Sequence, residues 1–244
     1  PISVGAKSKA FYTLVDGVPS GGVVVYVVDC EIGGWAELGA AGLGVAQHLF
    51  RKPVKIVFVS FQVQGPMIVT GQILPKVDIP PEKKYGTDYV VLGYVAGGET
   101  GMAAVAADIH ALIRNDLYGT PLANLPMMKD IGGARDADLL ITATSATDTV
   151  EGLLRQWATP YGVKYGIICL GVMGPAAEPF YPKQAQGLMV GSRVGAEYEL
   201  LIKKPGPGLA DMDAQSMAHL LAIAFIALGN IGYLYQRKIK GGTK

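Results

Sequence analysis

Asp29 and Glu31 stand two residues apart at the close of the apolar run Val23–Val28. In extended chain that spacing puts both carboxylates on one side, where a pair can bind a cation or share a proton. Gly97-Gly98-Glu99-Thr100-Gly101 follows a second such run, Tyr89–Tyr94, and opens a helix. A glycine turn there presents free backbone N–H groups and the positive end of the helix to an anion. It matches neither G-x-G-x-x-G nor a phosphate loop with its Lys and Ser/Thr, and Glu99 would repel a phosphate. Ser145 and Thr147 follow a further run, Leu139–Thr144. If these runs are strands of an open α/β sheet, Asp29, Glu31, Gly97, Gly98, Glu99, Thr100, Ser145 and Thr147 all lie beyond carboxyl ends, where such sheets bind ligands. They form the candidate ligand-binding set. The plainer alternative is ordinary loop acids and a tight turn with Glu99 in the first helical turn.

Nucleophilic chemistry has little to start from. Cys30 needs a base, and the three histidines, His48, His110 and His219, fall within expected helices and away from strand ends. Neither G-x-S-x-G nor H-E-x-x-H occurs. The two cysteines, Cys30 and Cys169, lack zinc-site spacing, and Cys169 lies inside a strand as a small core residue. They could pair only if their strands were neighbours. No catalytic residue, metal or cofactor is assigned.

The elements that must hold these residues alternate along the chain. Val23–Val28, Val54–Ser60, Tyr89–Tyr94, Leu139–Thr144 and Tyr165–Val172 are apolar on both faces, as central parallel strands are. Trp35–Phe50, Met102–Ile113 and Thr147–Trp157 carry helical spacing, and Met67–Leu74 suits a short helix. The fold class is therefore α/β, a doubly wound, mainly parallel sheet of about five or six strands, Rossmann-like or flavodoxin-like, over residues 1–204. Gln184–Ile202 is expected as one more helix, with Gly187, Gly191 and Gly195 recurring every four residues along a face that allows close approach.

Beyond a linker at 205–216, Met217–Tyr235 is 19 residues without a formal charge, long enough at 1.5 Å per residue to cross ~28 Å of hydrocarbon. A transmembrane helix is expected over 217–236 and a basic tail over 237–244. Arg237, Lys238, Lys240 and Lys244 after it outnumber Lys203 and Lys204 before it, which favours a cytoplasmic tail and an extracytoplasmic domain. The competing interpretation is a helix buried in a soluble core, which His219 and Asn230 would suit. The chain begins at Pro1 without an initiator Met, and a hydrophobic segment ahead of it would make a two-pass protein.

Composition agrees with a membrane setting. Half of the 244 residues are hydrophobic and only 17% are charged, against ~25% in a typical soluble domain. Net charge is +1, and without the tail 17 Lys and Arg face 20 Asp and Glu. That balance excludes a dedicated nucleic-acid binder.

The order of segments resembles a family of uncharacterised bacterial membrane-anchored α/β proteins with no assigned activity. The resemblance rests on Ala10-Phe11-Tyr12, HLFRKPVKIV (48–57), YGTDYVVLGY (85–94), DLYGTPLANLPMM (116–128), GAEYE (195–199) and MDAQSMAHLL (212–221). It spans most of the chain and implies a membrane-anchored topology, with no functional residues carried over. Members also have a hydrophobic segment ahead of the domain, which this chain lacks.

Two function classes remain. The first is a membrane-tethered structural or interaction subunit that assembles with itself or with other membrane proteins, with membrane lipid as a further partner. Its contacts would come from Tyr118, Leu122, Leu125, Met127 and Met128 of the long loop at 115–133 and from Gly187, Gly191 and Gly195. The alternative for that loop is folding back over its own core. The second class is a domain binding a small molecule, anion or metal in the strand-end crevice, with hydrolysis as its catalytic variant.

Overall fold

A computed structural model describes residues 3–241, with the backbone alone for 237–241. Six strands form one all-parallel sheet: β1 (Val23–Asp29), β2 (Lys55–Ser60), β3 (Tyr89–Tyr94), β4 (Leu139–Thr144), β5 (Lys164–Cys169) and β6 (Gly187–Val190). Their order is β3-β2-β1-β4-β5-β6. This is the Rossmann order, with its topological switch point between β1 and β4. The helices are α1 (Ala6–Asp16), α2 (Ile32–Phe50), α3 (Gly65–Ile68, running into a π turn), α4 (Glu99–Ala107), α5 (Ile109–Leu112), α6 (Thr147–Leu153, also with a π turn), α7 (Thr159–Tyr161), α8 (Gly174–Ala177), α9 (Arg193–Leu201) and α10 (Pro207–Gly241).

Strand parity sorts side chains into two cores. Val23, Val25 and Val27 face Met102 and Val105 of α4, Leu153 of α6, and the segment 115–133. Val24, Tyr26 and Val28 face α1, α2, α3 and α9, where Phe11, Leu38, Ile68 and Tyr198 pack. With every residue of β1 and β4 buried, their continuous apolar runs follow from burial on both sides.

Three expectations are corrected. Residues 184–202 are not one helix: Gly187–Val190 pairs with β5 as an edge strand, Gly191 turns at φ +79°, and only Arg193–Leu201 is helical. A Cβ at Gly187 would lie 2.7 Å from Phe11 of α1, and one at Gly195 would lie 2.5 Å from Ala40 of α2. The glycines therefore serve three separate internal needs and share no helical face. The helix expected over 102–113 breaks at Asp108, whose extended backbone and side-chain carboxylate cap α5 through the N–H groups of His110 and Ala111. Finally, residues 207–216 of the expected linker are the first turns of α10.

The start of α10 is built by Glu199. Its buried carboxylate accepts N–H groups from Gly206 (3.0 Å), Gly208 (2.8 Å) and Leu209 (2.8 Å), satisfying donors that a helix N-terminus otherwise leaves open. From there α10 runs antiparallel to α9, with Gly208 against Gly195, Ala196 and Ala40, and Asp211, Met212 and Gln215 beside Ser192, Ala36 and Glu37. Beyond Gln215 it leaves the domain. Its apolar window is 0% buried, and Leu220, Phe225, Ile226 and Leu228 are each more than 60% exposed. The helix is long and apolar enough to cross a membrane, and it is not the core helix of the domain. The side chains of the basic tail lie outside the described residues.

Candidate functional site

Asp29 ends β1 beside Thr144 of β4, at the switch point. It continues the inward series Val23, Val25, Val27, so its carboxylate points into the domain. One oxygen accepts the N–H of Phe61 at 2.8 Å and the other accepts the hydroxyl of Thr149. Burial raises its pKa, opposed by those hydrogen bonds. Glu31 is exposed at the N-cap of α2, where its carboxylate accepts from the Gln62 side-chain amide at 3.5 Å. The expected carboxylate pair therefore does not form: one member is an internal brace tying β1 to the β2 end and α6, and the other is solvated.

The first turn of α2 is also occupied. Gln64 lends its side-chain oxygen to Ile32 N–H at 2.8 Å, and α2 approaches the β4 end so closely that a Cβ at Gly34 would lie 3.0 Å from Cβ of half-buried Ser145. Gly65, at the start of α3, packs with no space for a side chain: a Cβ there would lie 2.2 Å from the carbonyl of Val28. The segments after β1, β2 and β4 thus fill much of the crevice with their own atoms.

Gly97 and Gly98 take positive φ, +101° and +54°, to turn β3 into α4, a conformation that favours glycine. Glu99 forms a two-toothed ion pair with Arg155 (2.9 and 2.8 Å) and accepts from Gln156 (2.9 Å). Hydrogen bonds from Arg155 and Gln156 push its pKa down to about 2. Glu99 is engaged with the α6 π turn, away from Asp29, while Thr100 is exposed and Thr147 half-buried. The eight candidates are therefore spread over three settings and do not form one constellation.

Cys30 and Cys169 are free and buried in opposite cores, with β4 between their strands. Burial, followed by the charge of Asp29, pushes the Cys30 thiol up to about 12, so it is held unreactive. Strands two positions apart are separated by about 9.6 Å, beyond disulfide reach.

The expected interface loop turns inward. Leu122, Leu125, Met127 and Met128 are buried in the α4–α6 core, and Leu125 and Met127 close on Gly86, the latter through an N–H to its carbonyl at 3.0 Å. His110 holds the segment, contacting the carbonyls of Met128 at 2.8 Å and Ile131 at 3.1 Å. Tyr118 alone of the named loop residues is exposed, its ring edge against Tyr85.

A cavity of about 330 Å³ that sequence reasoning missed opens between the C-terminal half of α2 and the start of α10. Leu43, Val77, Ile202 and Pro207 give it an apolar lining, and Lys204 stands at it, donating to Gln47 and paired with Asp78. Its parts come from three distant segments, 43–47, 76–77 and 199–207, so no local motif announces it.

Comparison with family models, curated proteins and solved structures found no match to this chain.

Proposed function

We propose that this chain is a membrane-tethered structural or interaction subunit, whose α/β domain assembles with copies of itself or with other membrane proteins. The observation that carries the proposal is α10: one helix begins inside the domain under the Glu199 cap and continues, with no Gly or Pro between Leu209 and Ser216, into an apolar segment that no part of the domain covers. The engagement of Asp29 and Glu99 within the domain supports the same choice over a crevice enzyme. The excess of basic residues after the span supports an extracytoplasmic domain with a cytoplasmic tail, and the resemblance to membrane-anchored α/β proteins agrees with it.

The test is the mass of the detergent-purified chain. A stable oligomer, or a membrane protein that copurifies in fixed ratio, upholds the assembly role. A monomer whose thermal unfolding is raised by phosphate or Mg²⁺, and no longer raised after Asp29→Ala or Glu99→Ala, replaces it with ligand binding at the strand ends.

A further inference from the structure

The two ends of the sheet differ sharply in chemistry. At the amino end the chain enters its strands through exposed Arg51, Lys84, Arg135, Asp138, Lys164 and Lys183, as a solvated surface does. At the carboxyl end the segments 30–34, 61–67, 94–100, 145–148, 170–176 and 191–193 hold four charged residues, Glu31, Glu99, Asp148 and Arg193; Glu99 is neutralised by Arg155, and Glu37 of α2 adds a carboxylate that accepts the Gly171 N–H at 2.7 Å. The same segments expose large apolar side chains: Ile32 at 54%, Val63 at 69%, Met67 at 52%, Tyr94 at 45% and Val172 at 83%. Four of the six segments thus put a large apolar side chain in the open at the same end of the sheet, and exposed apolar area gathered at one end of a domain marks a surface that is covered in use.

The direction of α10 says what covers it. Helices α2 and α9 each begin at the carboxyl end of the sheet and run away from it, and α10 runs against α9, passing Glu199, then Gly195, then Ser192. It therefore leaves the domain at the carboxyl end. Ile32 precedes Ala36 by four residues, about 6 Å of helix, and Ala36 lines a small cavity together with Met212 and Gln215. That sets Ile32 level with the start of the uncharged run at Met217. The last domain contact of α10 is thus about 3 Å along the axis from hydrocarbon, less than the ~5–8 Å of headgroup layer on each side of a bilayer.

We infer that the carboxyl end of the sheet rests on the lipid headgroup layer, with Ile32, Val63, Met67 and Val172 dipping into it, so that the domain is seated on the membrane and not held clear of it. The inference rests on α10 being a membrane span. A consequence is that the strand-end crevice opens toward lipid, while the cavity beside Lys204 faces the aqueous side.

The experiment uses the full chain in phosphatidylcholine nanodiscs with single cysteines at Val63→Cys, Val172→Cys, Lys183→Cys or Leu228→Cys, each carrying an environment-sensitive fluorophore. The native cysteines are buried with thiols pushed up to about 12 and stay unlabelled. Val63 and Val172 are exposed on separate loops, so each checks the other. The expected result is that headgroup spin-labelled lipid quenches positions 63 and 172 several-fold more than 183, and that chain-labelled lipid quenches 228. Quenching at 228 with 63 and 172 as lipid-free as 183 overturns the seating and leaves the tether standing. Loss of quenching at 228 overturns both. Positions 63 and 172 shielded from aqueous iodide yet untouched by lipid spin labels means that protein covers the edge, which also overturns the proposal.

Discussion

Removing the Glu199 carboxylate should uncouple α10 from the domain. The side chain is 3% exposed and accepts three backbone N–H groups at 2.8–3.0 Å. A hydrogen bond to a charged acceptor contributes about 1.5–3 kcal/mol, such bonds are not additive, and a carboxylate at a partly buried helix N-terminus adds up to ~2 kcal/mol. Glu199→Ala is therefore expected to cost about 3–4 kcal/mol, which for a domain of this size lowers the melting temperature by about 6–15 °C. Glu199→Gln should fall between, since its amide oxygen keeps an acceptor while its NH₂ faces a backbone donor. Thermal unfolding in detergent measures the total, and hydrogen exchange over residues 205–212 localises it. Unchanged melting together with unchanged exchange in that segment would refute the assignment of Glu199 as the joint.

His48 ties α2 to Tyr198 of α9 through Nδ1 at 2.9 Å and stacks on Tyr12 of α1; burial lowers its pKa from 6.5, with Asp16 opposing. The unfolded chain then takes up the proton first, so this contribution is intact above pH 6.5 and is lost as pH falls from there through the lower folded value. Melting curves of His48→Gln should show a shallower fall between about pH 7 and 5 than the parent, and parallel curves would count against it. Asp29 runs the opposite way: its raised pKa means that stability declines as pH rises through the folded value. Asp29→Asn should remove that decline while keeping an acceptor for Phe61, and Asp29→Ala, which strands the Phe61 N–H and Thr149 hydroxyl, should cost about 2–4 kcal/mol in denaturant titrations. Ile226→Arg, at the middle of the span, should disfavour insertion by about 3.5 kcal/mol, roughly 300-fold in the insertion equilibrium, and shift the chain out of carbonate-washed membranes.

The sheet and the terminal helix are legible because burial writes itself directly into composition. The run VVVYVVD of β1 has no polar face because both of its faces are covered, and α10 from Met217 stands out because it carries no charge over 19 residues although no part of the domain covers it. Helix α1 escapes notice because only Ser8, Phe11 and Val15 are buried along its length. Edge strand β6 escapes because four residues are too few to show a period, and its glycine imitates a helical repeat. The site was legible in place but not in orientation. Whether Asp29 faces a ligand or the core is decided by partners that arrive from 32 and 120 residues away, Phe61 and Thr149, and the fate of Glu99 by Arg155, 56 residues on.

Flotation of the full chain with phosphatidylcholine vesicles, after detergent removal, tests the central claim most directly. The account predicts that the chain rises with the lipid and resists high salt and alkaline carbonate, as a spanning helix does. A chain left at the bottom of the gradient as a monodisperse particle in detergent-free, lipid-free buffer would contradict it.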